Sequence, residues 1–222
     1  MKKLICILLA IAMCAFAGCS NEEQKETEPQ QETEPEIVKV FELEEMKMTA
    51  ENVSPYEGMY LEYGDVEMIS GLYAVKFTNN AAETIREAQL IFSDGTQELT
   101  FWLEMLAAGQ SVVVCNQDQI AVAAEQINYV DGIISYMEEG MENAASVEVT
   151  GGEGVATVIN VTEEDLPLVR VFFRPTDDNG NMIGGPCRSF MVDGLPAGET
   201  LEIEAEGWTE GCAVSTVLVT NE

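Results

Sequence analysis

The sequence predicts an all-β protein: two tandem, small antiparallel β-sandwich domains behind a leader and an acidic linker. Three observations predict it. Beyond residue 36, short apolar runs alternate with turn residues, and amphipathic helix patterns are scarce. Those runs are rich in Val, Ile, Phe, Tyr and Thr, which pleated, half-buried surfaces favour. The second half of the chain also echoes the first at a nearly fixed offset. The expected organisation is a signal segment at 1–18, a tether at 19–36, a first sandwich at 37–140 and a second at 141–222.

The leader comes first. Met1-Lys2-Lys3 is a short basic start, and Leu4 to Ala17 is almost wholly apolar over 14 residues. Crossing a bilayer takes roughly 20 residues, so these are the proportions of a secretory signal peptide. Ala17-Gly18-Cys19 resembles the lipobox of bacterial lipoproteins, with Phe16 where that family usually carries an aliphatic residue. The resemblance implies cleavage before Cys19, lipidation of its thiol, and a membrane anchor on the outer face of the bacterial cytoplasmic membrane. Ser20 to Glu36 holds no aliphatic or aromatic residue and repeats Thr-Glu-Pro at 27–29 and 33–35. Such a stretch buries too little apolar surface to offset chain entropy, so a disordered, extended tether is expected.

The strands follow in order. Ile37 to Leu43 is expected as an edge strand or as the lead into the first sandwich, and no element is assigned from Met46 to Tyr60. In the first half, strands are expected at 66–69, 72–79, 88–92, 99–105, 111–114 and 127–137. In the second half they are expected at 145–150, 155–161, 168–173, 187–192, 200–205 and 213–219. Asp94-Gly95 signals a tight hairpin between two of them. In LTFWLEM, alternation places Leu99, Phe101, Leu103 and Met105 on one face and Trp102 on the other. Trp102 is therefore either a platform for a sugar or protein ligand or a residue covered by an adjoining loop or the other module. Trp208, in a Gly-rich turn, poses the same alternatives.

At an offset of 81, Val66-Glu67 falls on Val147-Glu148, Gly71 on Gly152, Asn79 on Asn160, Glu83 on Glu164 and Phe92 on Phe173. Leu106-Ala-Ala-Gly109 then matches Leu195-Pro-Ala-Gly198 at an offset of 89, so the second copy carries about eight extra residues around Asp177-Asp178-Asn179-Gly180-Asn181. The matched asparagines end a strand, where an amide satisfies turn backbone. The matched Leu-x-Ala-Gly is a corner into the next strand. Short strands separated by turns every 8–12 residues fit an antiparallel sandwich.

The run of apolar strand, Thr-Asn or Ile-Asn, polar turn, strand ending in Phe, Asp-Gly turn and Leu-x-Ala-Gly resembles the immunoglobulin-like modules of Gram-positive surface lipoproteins, in particular the FxLYD type. Val171-Phe172-Phe173 followed by Asp178-Asn179-Gly180 is the closest piece. Arg174-Pro175-Thr176 stands in place of that family's tyrosine-aspartate signature. The resemblance covers residues 60–222 and implies a cell-surface location more than an activity.

Composition narrows function. The chain has 10 Lys+Arg against 40 Asp+Glu, a net charge of −30, and loss of residues 1–18 removes two lysines and no acid, leaving −32. That charge opposes nucleic acid, which is held through phosphate neutralisation, and favours cations and basic partners. The sequence has no histidine, which excludes Ser-His-Asp and Cys-His catalysis and His-ligated zinc. Cys6 and Cys14 leave with the leader. Of the three cysteines beyond Cys19, Cys115 reads as a small apolar strand residue, and Cys187 and Cys212 form a possible disulfide. Asp177 to Asn181 reads as a hairpin turn rather than a calcium loop, because a calcium loop's twelfth position would be Arg188. No metal site, cofactor or catalytic motif is expected. The function expected is a non-catalytic binding or spacer module at the cell surface, with a protein or cell-wall polymer as partner. The alternatives are an accessory subunit or enzyme acting on glycans through carboxylates, and the solute-binding component of a transporter.

Overall fold

The structure, a computed structural model, describes residues 39–62, 65–118, 127–138 and 144–220. The expected signal peptide, Cys19 and the tether lie outside the described residues, as does the expected boundary between residues 140 and 141. The first strands are β1 (Val40–Leu43), β2 (Met48–Asn52), β3 (Tyr56–Glu62), β4 (Asp65–Leu72), β5 (Ala74–Asn79), β6 (Ile85–Ser93), β7 (Glu98–Leu106), β8 (Ser111–Cys115) and β9 (Asn128–Tyr136). Then come β10 (Val147–Gly152), β11 (Val155–Asn160), β12 (Leu166–Pro175), β13 (Met182–Ile183), β14 (Arg188–Leu195), β15 (Thr200–Glu204) and β16 (Cys212–Thr220). No α-helix occurs among the described residues. The protein is all-β, built of antiparallel sandwiches, and among the described residues one pairing is parallel, β8 with β13.

Alternation within each strand decides what packs where. In the first module, the sheet β1-β2-β5-β8-β13 faces the sheet β7-β6-β9. Phe77, Val112 and Val114 from one sheet meet Leu90, Phe92, Phe101 and Leu103 from the other in a closed core. The second module repeats the arrangement with β10-β11-β15 against β14-β12-β16. Its core holds Val158, Val171, Phe173, Phe190 and Val217. Residues Ile37–Glu222 form one compact unit.

The two modules correspond strand for strand: β2 to β10, β5 to β11, β6 to β12, β7 to β14, β8 to β15 and β9 to β16. Phe92 and Phe101 pack with ring centroids 5.4 Å apart, and their equivalents Phe173 and Phe190 pack at 5.9 Å. Asn79 Nδ2 donates to Glu83 O and Leu106 O, both at 2.9 Å, and its Oδ1 accepts from Ala81 N at 2.9 Å. Asn160 does the same with Glu164 O at 2.8 Å, Leu195 O at 3.0 Å and Thr162 N at 2.9 Å. Each amide therefore ties a strand end to the Leu-x-Ala-Gly corner, and both side chains are buried.

Four expectations need correction. Val66-Glu67 is not the counterpart of Val147-Glu148: the register Met48↔Asn79 matches Val147↔Asn160, which makes β2 the true equivalent of β10. Val66 and Glu67 belong instead to a β3–β4 hairpin that the second module lacks. Met46 to Tyr60, left unassigned, supplies β2 and the start of β3. Met105 does not join the inward face. It takes a left-handed φ of 44°, slipping the alternation so that Leu106 is buried instead. The Asp94-Gly95 turn is wider than a two-residue hairpin, because Ser93 pairs with Glu98. Asp94 Oδ1 accepts from the Thr96 hydroxyl and Thr96 N, both at 2.7 Å, and from Gln97 N at 2.8 Å; the hydroxyl bond first, then the two amides, hold its carboxyl below the usual range.

Candidate functional site

Where the two copies differ, they meet. Beyond the edge strand β1, the first module's extra element is the β3–β4 hairpin, and the second module's is the segment from Thr176 to Cys187 that contains β13. The hairpin folds over the outer face of the first sheet. There Tyr56 and Tyr60 pack on Ala74, Val113 and Cys115, and Ile183 of β13 completes the cluster. Ser54 clamps the entry to the hairpin, its hydroxyl donating to Ala74 O at 3.0 Å and accepting from Ala74 N at 2.9 Å. The Cys115 N–H donates to Tyr60 Oη at 3.0 Å. β13 adds to β8 through Met182↔Val112 and Ile183↔Val113, sending Met182 into the first core and Ile183 into the outer cluster.

Two glycines allow the second module's segment to pass so close. A Cβ on Gly184 would lie 2.6 Å from Leu61 Cβ, and one on Gly185 would lie 2.0 Å from Trp102 O. Both are below any real contact, so larger residues do not fit here. Arg174, fully buried, fills the middle of the junction. Nε donates to Gly184 O at 3.0 Å, Nη2 to Gly185 O at 2.9 Å and to Glu104 O, and Nη1 to Met105 O at 3.3 Å and to Ser215 Oγ. All five guanidinium N–H groups are matched by acceptors from both modules. Desolvation lowers the Arg174 pKa, and neighbouring Cys187 and Glu104 oppose it.

The two insertions enclose a groove of about 770 Å³, within the range of ligand sites. One wall carries Tyr56, Met59 and Met68 of the hairpin, and the other Asp177, Asp178 and Asn179 of the second module's turn. Met59 and Met68 face each other across the hairpin and are 47% and 75% exposed. Tyr56 is 8% exposed, its hydroxyl donating to Met59 O at 2.6 Å. Burial, then the negative Asp177, pushes the Tyr56 phenol up to about 12. Glu51 and Glu57 add acid to the lining, and Lys76 pairs with Glu51 at 3.6 Å.

The Asp177 turn is a self-capped loop. Asp177 Oδ1 accepts from Asn179 N at 2.9 Å and Asn181 N at 2.8 Å, and Oδ2 from Asn181 Nδ2 at 3.0 Å. The turn hangs from Thr176, whose N–H and hydroxyl both donate to Gly211 O. Among the described residues no group of acids and cysteines is placed to hold a metal ion.

Trp102 lies at the junction, outside the groove. It is half-buried, its Nε1 donating to Glu87 Oε1 at 3.0 Å. With Tyr60, Leu61 and Pro186 it lines a pocket of about 70 Å³, room for a few waters rather than a sugar ring. Trp208 is a core residue, its ring 5.1 Å from Phe173 and 6.1 Å from Phe190. Cys187 and Cys212 are free thiols, so the possible disulfide is not formed. Each is engaged elsewhere: Cys187 N and Sγ donate to Glu104 Oε1 at 3.1 and 3.5 Å, and Cys212 Sγ donates to Gly207 O at 3.6 Å. Cys115 is buried in its strand, as expected of a small apolar residue. Burial pushes the Cys115 and Cys187 thiols up to about 12.

Sequence reasoning missed Arg174, the hairpin and the groove. The available signal was the eight extra residues around Asp177, which mark the second module's insertion; the hairpin carried no such mark, because in residue type Val66-Glu67 and Gly71 continue the repeat.

No family model matches the chain, and no curated protein matches it. Among solved structures, it is similar to the C-terminal globular domain of an oligosaccharyltransferase from Pyrococcus abyssi. The identity is 11%, over 74% of this chain and 46% of that one, with a TM-score of 0.15. The chain thus spans less than half of that protein's length, and the likeness is slight.

Proposed function

We propose that this is a non-catalytic, lipid-anchored binding protein of the outer face of the bacterial cytoplasmic membrane. In this reading Cys19 is the anchor, the acidic tether holds the body off the surface, and two immunoglobulin-like modules present the groove. One observation carries the binding role: the β3–β4 hairpin and the Thr176–Cys187 segment, both additions to the strands the two modules share, converge on one place and build a cleft there. The shared strands supply a scaffold, and loops set on a rigid scaffold are where binding residues concentrate. Two further facts support a role without catalysis. The Cys115 and Cys187 thiols stay protonated near neutral pH, as their raised values require. The groove acids Glu51, Glu57 and Asp177 are engaged with Lys76, Ser70 and the turn amides.

The test is photo-cross-linking in the living bacterium, with a benzophenone amino acid at Met59 or Met68 and at Met191 as control. Met191 is 59% exposed on the second module. A discrete adduct from positions 59 and 68 and none from 191 is expected. No adduct from the groove, or the same adducts from all three sites, would remove the binding role. In the same cells, Cys19→Ser is expected to release the protein from the membrane fraction.

A further inference from the structure

We infer that the groove between the β3–β4 hairpin and the Asp177–Asn181 turn takes an extended, basic segment of another protein, with lysine or arginine beside aliphatic side chains. This rests on the binding role proposed above. Three features of the groove select that occupant. Its lining carries the carboxylates of Glu51, Glu57, Asp177 and Asp178 against the single cation of Lys76, which Glu51 already pairs. A cation entering the groove is therefore drawn by the remaining acids on both walls. Its accessible apolar surface centres on the Met59–Met68 pair, with Pro55 beside it, and exposed methionines adapt to many aliphatic shapes. Its aromatic ring, Tyr56, is 8% exposed and offers no open face for a sugar to stack on.

The same charges decide against occupants from this chain. A second copy brings a net charge of −30 to an acidic groove. The segment Ser20–Glu36 holds one lysine, Lys25, among its acids and would be repelled in the same way.

The experiment uses the full-length chain, immobilised in non-ionic detergent, to select from a random dodecapeptide phage library. The strongest peptide is then synthesised with a fluorophore and titrated by anisotropy. Selected peptides are expected to be enriched in Lys or Arg next to Leu, Ile or Val. Binding is expected to weaken about tenfold in Glu57→Gln/Asp178→Asn, as loss of two surface ion pairs predicts. It is expected to weaken by a similar factor in Met59→Ser/Met68→Ser, and to weaken with salt. Glu148→Gln/Glu202→Gln, the same charge change on exposed residues of the second module, is expected to leave affinity within twofold. In ¹³C-methyl spectra of the wild-type chain, the Met59 and Met68 signals are expected to move on titration. Neutral or acidic selected peptides, an empty selection, unmoved methyl signals, or equal weakening by both charge pairs would each overturn the inference. A cross-link from Met59 in cells combined with failure here would leave the binding role standing and exclude a basic peptide as its ligand.

Discussion

Replacing Arg174 with methionine tests whether the junction is a structural lock. Methionine keeps an unbranched, flexible side chain but donates no hydrogen bond. Two of the five acceptors retain another donor: Gly185 O takes the Glu104 N–H at 3.2 Å, and Met105 O takes the Ser215 hydroxyl. Gly184 O, Glu104 O and Ser215 Oγ lose the guanidinium outright. Hydrogen bonds to a charged donor contribute about 1.5–3 kcal/mol each. The variant recovers part of that loss, because it no longer holds a charge away from water. The net cost expected is about 3–5 kcal/mol: three neutral acceptors left unpaired at about 1–3 kcal/mol each, less the desolvation recovered with the charge. Urea unfolding of the Ile37–Glu222 unit is the assay. It is followed by Trp fluorescence in two backgrounds, Trp208→Phe reporting the junction and Trp102→Phe the second core. Wild type is expected to unfold with the two probes coincident, and Arg174→Met with Trp102 responding at lower urea than Trp208. A variant within about 1 kcal/mol of wild type, with coincident probes, would refute the assignment of the lock to Arg174.

Two further outcomes follow from geometry already described. Asn79→Ala and Asn160→Ala are expected to destabilise by similar amounts, about 2–3 kcal/mol each, because each removes an equivalent set of buried hydrogen bonds; thermal unfolding of the two variants checks this. Cys115 and Cys187 have folded-state values of about 12 against an ordinary 9.0. Their contribution to stability is therefore full below pH 9 and declines as pH rises toward 12, since the unfolded thiols ionise first; urea midpoints from pH 8 to pH 11 should fall. At pH 8, Cys212 is expected to react with a disulfide reagent well before the other two thiols.

Much of the scaffold was legible because it rests on local signals. Period-two alternation located the strands of both cores. The repeated asparagine and Leu-x-Ala-Gly corner marked equivalent places in the two copies, and the structure gives them matching hydrogen bonds. The hairpin was harder to read, because much of the surface its strands alternate against comes from β8 and β13, far away in sequence. Thus Val66-Glu67 matched Val147-Glu148 in residue type although only β2 has the pairing of β10. Two-residue β13 carries no periodicity, and only its fit beside β8 makes it a strand. In the sequence Arg174 only interrupts the resemblance to the FxLYD-type pattern. Its role depends on carbonyls about 70 residues away in sequence, and nothing local encodes them. Trp102 illustrates the same limit: alternation turned it outward correctly, and the hairpin and loop that cover it come from elsewhere in the chain.

The β8–β13 pairing also sets the order in which the molecule can be finished. During synthesis the first module's strands are complete by Tyr136, yet the outer edge of Ser-Val-Val-Val-Cys stays unpaired until Met182 and Ile183 follow. A short, uncharged, β-branched edge of this kind is a ready template for another chain. The nascent protein is therefore most prone to aggregation in the interval between those two points. A truncation after the first module would hold it in that state, so the second module acts as an intramolecular guard on the first.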